Sequence, residues 1–160
     1  VIFNSQSLRD RLILELQSQC GARIGEVLNI RVKDIDGRKV FVQNPKSGKD
    51  REAIFMPEQV AERLKAYIQE KGLREEDRVF KLSYGTARKM INKLGQKVGI
   101  KLNPHDLRRH SATFVSRNGV PLELISKVLL HHQNLKTTRL YLGRVSDSEA
   151  IRWMDILHGK

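Results

Sequence analysis

Apolar positions recur at helical spacing along most of the chain, with one interruption. In SQSLRDRLILELQSQ, residues 5–19, Leu8, Leu12 and Leu16 fall four apart and mark one helix face. Gly21 is placed to stop that helix, and a short apolar helix is expected over Ile24–Leu28. Between Val32 and Met56 the period changes. Asp36-Gly37 is a hairpin dipeptide, KVFVQ reads as a short strand, Asn44-Pro-Lys-Ser-Gly48 as a second turn, and REAIFM as the returning strand. Helical spacing resumes at Pro57, expected as a first helical residue, with Val60, Leu64, Tyr67 and Ile68 as the buried stripe and Gly72 as the stop. Ser83 can cap a further helix that buries Ala87, Ile91, Leu94 and Val98 and ends at Gly99. Asn103-Pro104 opens the next as cap and first residue, and its expected buried positions are Leu107, Ser111, Phe114 and Val115 before Gly119. Pro121 opens LELISKVLL, apolar on most sides and therefore expected to be a buried helix. A short helix around Lys136–Leu142 follows, and Ser146-Asp-Ser-Glu149 is a capping box ahead of AIRWMDIL. The pattern predicts an α+β fold, mostly α, with one small antiparallel sheet, in one domain over residues 1–160.

Composition narrows the class. The chain has 160 residues, 39% hydrophobic, enough for one domain with a real core. Its net charge of +12 points to a polyanionic partner, for which nucleic acid is the default. The single cysteine, Cys20, leaves no disulfide framework within the chain and fits a reducing, intracellular setting, with the thiol as a small buried residue. No apolar run approaches about 18 residues, so no membrane span is expected, and no signal-peptide pattern opens the chain.

The candidate chemistry lies in three segments. HDLRRH crowds His105, Arg108, Arg109 and His110 onto one helix, and spacings of three and four bring His105, Arg108 and Arg109 near one face. His105 falls in the first turn, where backbone amides and the helix dipole favour an anion. A guanidinium is planar and grips two phosphate oxygens at once, so a phosphate is the natural occupant, against the plainer reading of a solvated basic face. In GARIGE, Arg23 precedes the short helix, and Glu26, three residues on, can orient it; the plainer reading is a surface ion pair. In HHQNLKTTRLY, His132 stands nine residues before Tyr141, which alone would read as a core aromatic.

Taken in order, GARIGE, NPKSGKDR, HDLRRH and HHQNLKTTRLY resemble the tyrosine recombinases, the phage-integrase and Xer-like family, over roughly Ser7 to Trp153. Each motif is weak by itself; the ordered set, with a hairpin between the first and third, is strong. The resemblance implies the helical catalytic domain of that family, with its small three-stranded antiparallel sheet and DNA breaking-rejoining fold. It implies that Arg23 is the first catalytic arginine and Glu26 its acidic supporter. Lys46 in the hairpin turn would be the catalytic lysine, chosen over Lys49 because it precedes a small-residue turn. His105 and Arg108 match the family's histidine and second arginine, His132 the later histidine or tryptophan, and Tyr141 the nucleophile. Lys49, Arg51, Arg109 and Arg139 are then expected DNA contacts. One position departs from the pattern. The family usually has glycine immediately before the later histidine, where this chain has His131, so the local turn and the choice between His131 and His132 are open; the spacing to Tyr141 favours His132. If that position takes positive φ, histidine is costlier there than glycine.

The implied reaction is metal-independent phosphoryl transfer with no cofactor. Arg23 and Arg108 would clamp the non-bridging oxygens with His132 adding a hydrogen bond, His105 would act as base, and Lys46 would protonate the leaving 5′ oxygen. Tyr141, with an ordinary pKa near 10, would be activated by that cationic site and form a 3′-phosphotyrosyl link. The implied partner is double-stranded DNA, bound by a homotetramer on paired sites, with the isolated domain a monomer. Because family members usually carry a helical core-binding domain ahead of this one, the fragment would bind DNA weakly and with strong salt dependence. A tyrosine-class transposase shares the implied side chains, as does a type IB topoisomerase-like strand transferase, against which the compact Xer-like spacing argues; a family member kept only for DNA binding is disfavoured because all the expected side chains are present. A helix-turn-helix regulator would need polar residues where LELISKVLL is apolar, and a site built on His105, His131 and His132 lacks an HExxH pattern. The last helix, with Trp153, Met154 and Leu157 near one face, could pack on its own core or on a neighbouring copy.

Overall fold

The computed structural model describes residues 7–43, 52–131, 135–142 and 147–158; in the last two stretches the side chains of residues 135, 139–141, 149, 153 and 157 fall outside the description. Helix α1 (Leu8–Ser18) starts where the Ser7 hydroxyl accepts the Asp10 N–H. It is buried on more than the expected face: Leu12, Ile13, Leu14 and Leu16 are all inaccessible, because α2 (Ile24–Leu28), α3 (Glu58–Glu70) and α5 (Pro104–Arg117) pack around it. The one carboxylate inside this wrap, Glu15, is held by Arg63 of α3 at 2.7 and 3.0 Å and by Arg11 at 3.1 Å. A buried charge left unpaired would cost several kcal/mol, so this bidentate pair fixes α3 against α1. Burial and the neighbouring Glu15 push the Cys20 thiol up to about 12, so it is an inert core residue.

After α2 a short 3-10 turn, Val32–Asp34, leads into the expected meander: β1 (Ile35–Asp36), β2 (Lys39–Val42) and β3 (Glu52–Phe55), antiparallel in the order β1-β2-β3. Gly37 takes the left-handed conformation its turn requires. Val40 pairs with Ile54 and Val42 with Glu52. Alternation turns Val40, Ile54 and Glu52 inward, so a carboxylate occupies a buried face that would ordinarily be apolar. The second turn, residues 44–48, lies outside the described residues.

Pro57 is the cap of α3 rather than its first residue, because its ψ of 149° is still extended. Val60, Leu64 and Tyr67 form the buried stripe, with Ile68 partly buried beside it. In α4 (Tyr84–Lys97), capped by Ser83, the buried face is Ala87, Ile91 and Leu94. Val98 is 41% exposed, contrary to expectation, since it sits past the last turn and helical spacing no longer places it. Helix α5 begins at Pro104 with Asn103 as cap, and Asp106 accepts the Asn103 N–H at 2.9 Å. Its buried arc is formed by Pro104, Leu107, Arg108, Ser111 and Ala112. Phe114, expected inside, is 59% exposed: at 100° per residue it falls at the edge of that arc, beside His110.

LELISKVLL is only partly buried, again contrary to expectation. A single turn, α6 (Leu122–Leu124), runs into a π-helical turn over Ile125–Leu129. Ile125 and Leu130 pack with Ala112 of α5 in a second, smaller core, whereas Leu124 is 51% and Val128 40% exposed. The wider turn shifts side chains around the axis, so an all-round apolar segment is covered on one side only. Helix α7 (Leu135–Leu142) and helix α8 (Asp147–His158) complete the chain. Ile151, Met154 and Ile156 of α8 are exposed, so Met154 does not pack on this chain's own core. No helix among the described residues is long and apolar enough to cross a membrane.

Gly21 joins the two cores. Its φ is +70°, and a Cβ there would lie 2.8 Å from the Leu129 side chain. Gly21→Ala should lower unfolding stability by about 2 kcal/mol or more, combining backbone strain with overpacking. Urea denaturation checks this; an unchanged midpoint would contradict the packing described.

Candidate active site

Two helix N-termini build the centre of the site. Arg23 is the cap residue of α2, and Glu26 is three residues on. One Glu26 oxygen accepts the Arg23 backbone N–H at 2.9 Å and the other accepts its Nη1 at 2.9 Å. Glu26 thus closes the helix end and aims the guanidinium in the same gesture, the orienting role expected for it. Arg23 keeps 30% of its side chain exposed, so it remains open to a ligand.

Helix α5 supplies His105 and Arg108. Arg108 is only 3% exposed, and its Nη2 donates to the carbonyl of Leu130, the residue that follows the π-helical turn. The guanidinium is therefore anchored from behind by the smaller core. Arg23, Glu26, His105 and Arg108 line one cavity of about 650 Å³, together with Thr137 of α7. Tyr141 lies four residues beyond Thr137, about one turn along the same helix. The side chain of Tyr141 is outside the description, as is that of Arg139; His132, Lys46, Lys49 and Arg51 lie outside the described residues. Arg109 is exposed on α5, next to His105.

The electrostatics of the cavity favour an anion. The His105 imidazole is held below its ordinary value of 6.5, first by burial and then by the Arg109 and Arg108 guanidiniums, with Arg23 adding and Asp106 opposing. A lowered value favours the neutral imidazole, the form that can accept a proton. His131 is held low as well, by burial above all; Glu52 and Glu26 work the other way, and Arg108 and Arg23 add to the lowering. His131 has φ +54°, the positive value that glycine would adopt freely. Its imidazole is buried, with Nδ1 3.9 Å from the Glu52 carboxylate. Among the described residues no three His, Cys, Asp or Glu side chains form a group able to hold a metal ion.

Sequence reasoning missed several wall residues. Gln17 is fully buried in α1, lines the cavity and donates from Nε2 to the Pro104 carbonyl at 3.2 Å, bracing the start of α5. Its signal was available: a polar amide three residues after Leu14 and four after Ile13, in an otherwise apolar run. Asn29, Gln43 and the half-exposed Tyr84 at the start of α4 also line the cavity. They come from separate elements, and no local spacing links them.

Residues 2–148 match the family model described as the phage integrase family, and the chain belongs to that family. A tyrosine recombinase XerA of Saccharolobus solfataricus is 38% identical over 141 residues, covering 87% of this chain and 47% of the relative. The crystal structure of a XerA recombinase superposes with a TM-score of 0.80 at 29% identity, over 98% of this chain and 59% of that one. A XerH site-specific recombinase, solved as a post-cleavage complex with its palindromic difH substrate, shares the fold with a TM-score of 0.79 at 21% identity, over 98% of this chain and 49% of that one. The fold is thus that of tyrosine recombinase catalytic domains, as expected, and the chain spans about half the length of the curated relative quoted above.

The lowered imidazoles fix a pH dependence. Between the depressed folded values and the ordinary 6.5, the unfolded chain binds more protons than the folded one. The stabilisation these histidines contribute is therefore present above 6.5 and lost as pH falls through their folded values. NMR titration of the free protein should find both below 6.5, and an anion in the cavity should raise His105. A His105 titrating above 6.5 without ligand would contradict the cationic surroundings described.

Proposed function

We propose that this chain is the catalytic part of a site-specific DNA recombinase that cuts and rejoins strands through Tyr141. The observation that carries the reading is the convergence of Arg23, His105 and Arg108 on one cavity that α7, the helix of Tyr141, also lines through Thr137. Sequence relationship to XerA recombinases adds weight to it. A phosphodiester resists attack because it is anionic, and its transition state carries charge on the equatorial oxygens. Arg23, aimed by Glu26, and Arg108, anchored on Leu130, would hold two of those oxygens while His132 donates to them.

In the proposed step the Tyr141 oxygen attacks phosphorus as His105 takes its proton. The bond from phosphorus to the 5′ oxygen breaks, and Lys46 gives that oxygen a proton. The product is a 3′-phosphotyrosyl ester and a free 5′-hydroxyl. A 5′-hydroxyl from a second strand can reverse the step, so no external energy source is required. Lys49, Arg51, Arg109 and Arg139 would contact the flanking backbone, and binding should weaken steeply with salt. The working unit would be a homotetramer on paired double-stranded sites inside the cell, with the isolated domain monomeric.

The test is a nicked suicide duplex carrying an attachment site, incubated with the protein in EDTA. A covalent protein–DNA band should form with the wild type and vanish in Tyr141→Phe, while Arg23→Ala should slow its formation by about a hundredfold or more. A band that persists in Tyr141→Phe would overturn the assignment of the nucleophile.

A further inference from the structure

We propose that His131 is a positioning residue: its buried imidazole, set against the Glu52 carboxylate, ties strand β3 to the chain entering α7 and so fixes the width of the cavity. This rests on the recombinase reading above and names a residue pair for which that reading has no role.

Two features of the fold are separately unfavourable and become intelligible together. His131 occupies a left-handed backbone position, φ +54°, that disfavours every residue with a side chain. Glu52 lies on the inward face of β3 in line with Ile54, where burial disfavours a carboxylate. Their side chains are 7% and 1% exposed, and the Nδ1 to Oε2 separation is 3.9 Å. That is longer than a hydrogen bond, so the attraction works through charge: a carboxylate against the positive edge of a neutral imidazole, becoming an ion pair on protonation. Glu52 and Glu26 face His131 as anions, Arg108 and Arg23 as cations. A glycine at this position would fit the backbone but remove the imidazole beside the Glu52 carboxylate.

The location gives the pair its leverage. Leu130, immediately before His131, supplies the carbonyl that anchors Arg108. A shift of His131 therefore displaces the acceptor behind one cavity arginine, and a shift of Glu52 displaces its strand partner Val42, which lines the cavity. Neither His131 nor Glu52 is among the residues lining the cavity, so the pair acts through the groups it holds.

The experiment compares wild type, His131→Gly, His131→Asn, Glu52→Gln and the double variant His131→Gly with Glu52→Gln. Single-turnover cleavage of the suicide duplex and thermal melting are read for each. His131→Gly relieves φ but removes the imidazole beside the buried Glu52 carboxylate, so it should melt below the double variant and cleave about tenfold or more slowly than wild type. Glu52→Gln should show a similar loss, and the double variant no further loss. His131→Asn tolerates left-handed φ and keeps a donor, so it should retain most of the rate. Wild-type cleavage by His131→Gly, or losses that multiply in the double variant, would overturn the proposal. If the wild type itself forms no adduct, the recombinase reading fails, and NMR still decides on the pair. The His131 pKa should fall further in Glu52→Gln, and an unchanged value would refute the contact.

Discussion

The structure depends on holding the Arg108 guanidinium out of water and in place. A buried cation needs acceptors, and the Leu130 carbonyl is one of them. The remainder of the design follows from where that carbonyl must be. The π-helical turn over Ile125–Leu129 delivers it, the small core of Ala112, Ile125 and Leu130 fixes it against α5, and Gly21 permits the close approach of Leu129 to the end of α1.

The second arginine is solved differently. Arg23 is partly exposed and is aimed by Glu26 at the lip of a five-residue helix. One guanidinium is fixed by burial, the other by a local carboxylate, and both reach the same cavity as His105. Burial first, then Arg109 and Arg108 with a small addition from Arg23, holds the His105 pKa below its ordinary value, so a residue that would hold a phosphate also helps prepare the proton acceptor beside it. Gln17 braces the same helix start from the core side through the Pro104 carbonyl. The cavity is therefore shaped by α1 and α5 together, and its chemistry is carried by side chains at helix N-termini.

Much of this was legible in local pattern. The glycine stops at Gly21, Gly72 and Gly99 adopt positive φ, Ser83 and Asn103 cap their helices, and the hairpin falls where Asp36-Gly37 places it. Such features depend on a few neighbouring residues, so sequence carries them fully. Apart from Pro57, which caps α3 instead of opening it, what failed were statements about which face is covered. Phe114 and Val98 sit at the margins of their helical faces, and coverage there depends on the partner element, not on spacing. LELISKVLL read as buried because it is apolar all round, but the π-helical turn leaves Leu124 and Val128 facing outward. The arginine, histidine and glutamate positions of the site came from motif order. The burial of Arg108 could not be read from it, since arginine is a surface residue by default. The expected glycine-like backbone at His131 came from the family pattern, whereas its neighbour Glu52 lies far off in sequence and no local signal joins them.

The most direct measurement is single-turnover adduct formation by Arg108→Lys on a nicked duplex, read beside its thermal melting. Lysine keeps the charge but cannot hold the Leu130 carbonyl and a phosphate with one planar fork. The account predicts a folded protein whose adduct forms at least about a hundredfold more slowly than wild type. Adduct formation near the wild-type rate would mean that charge alone suffices, and that the anchored geometry of Arg108 is not what the structure is built to provide.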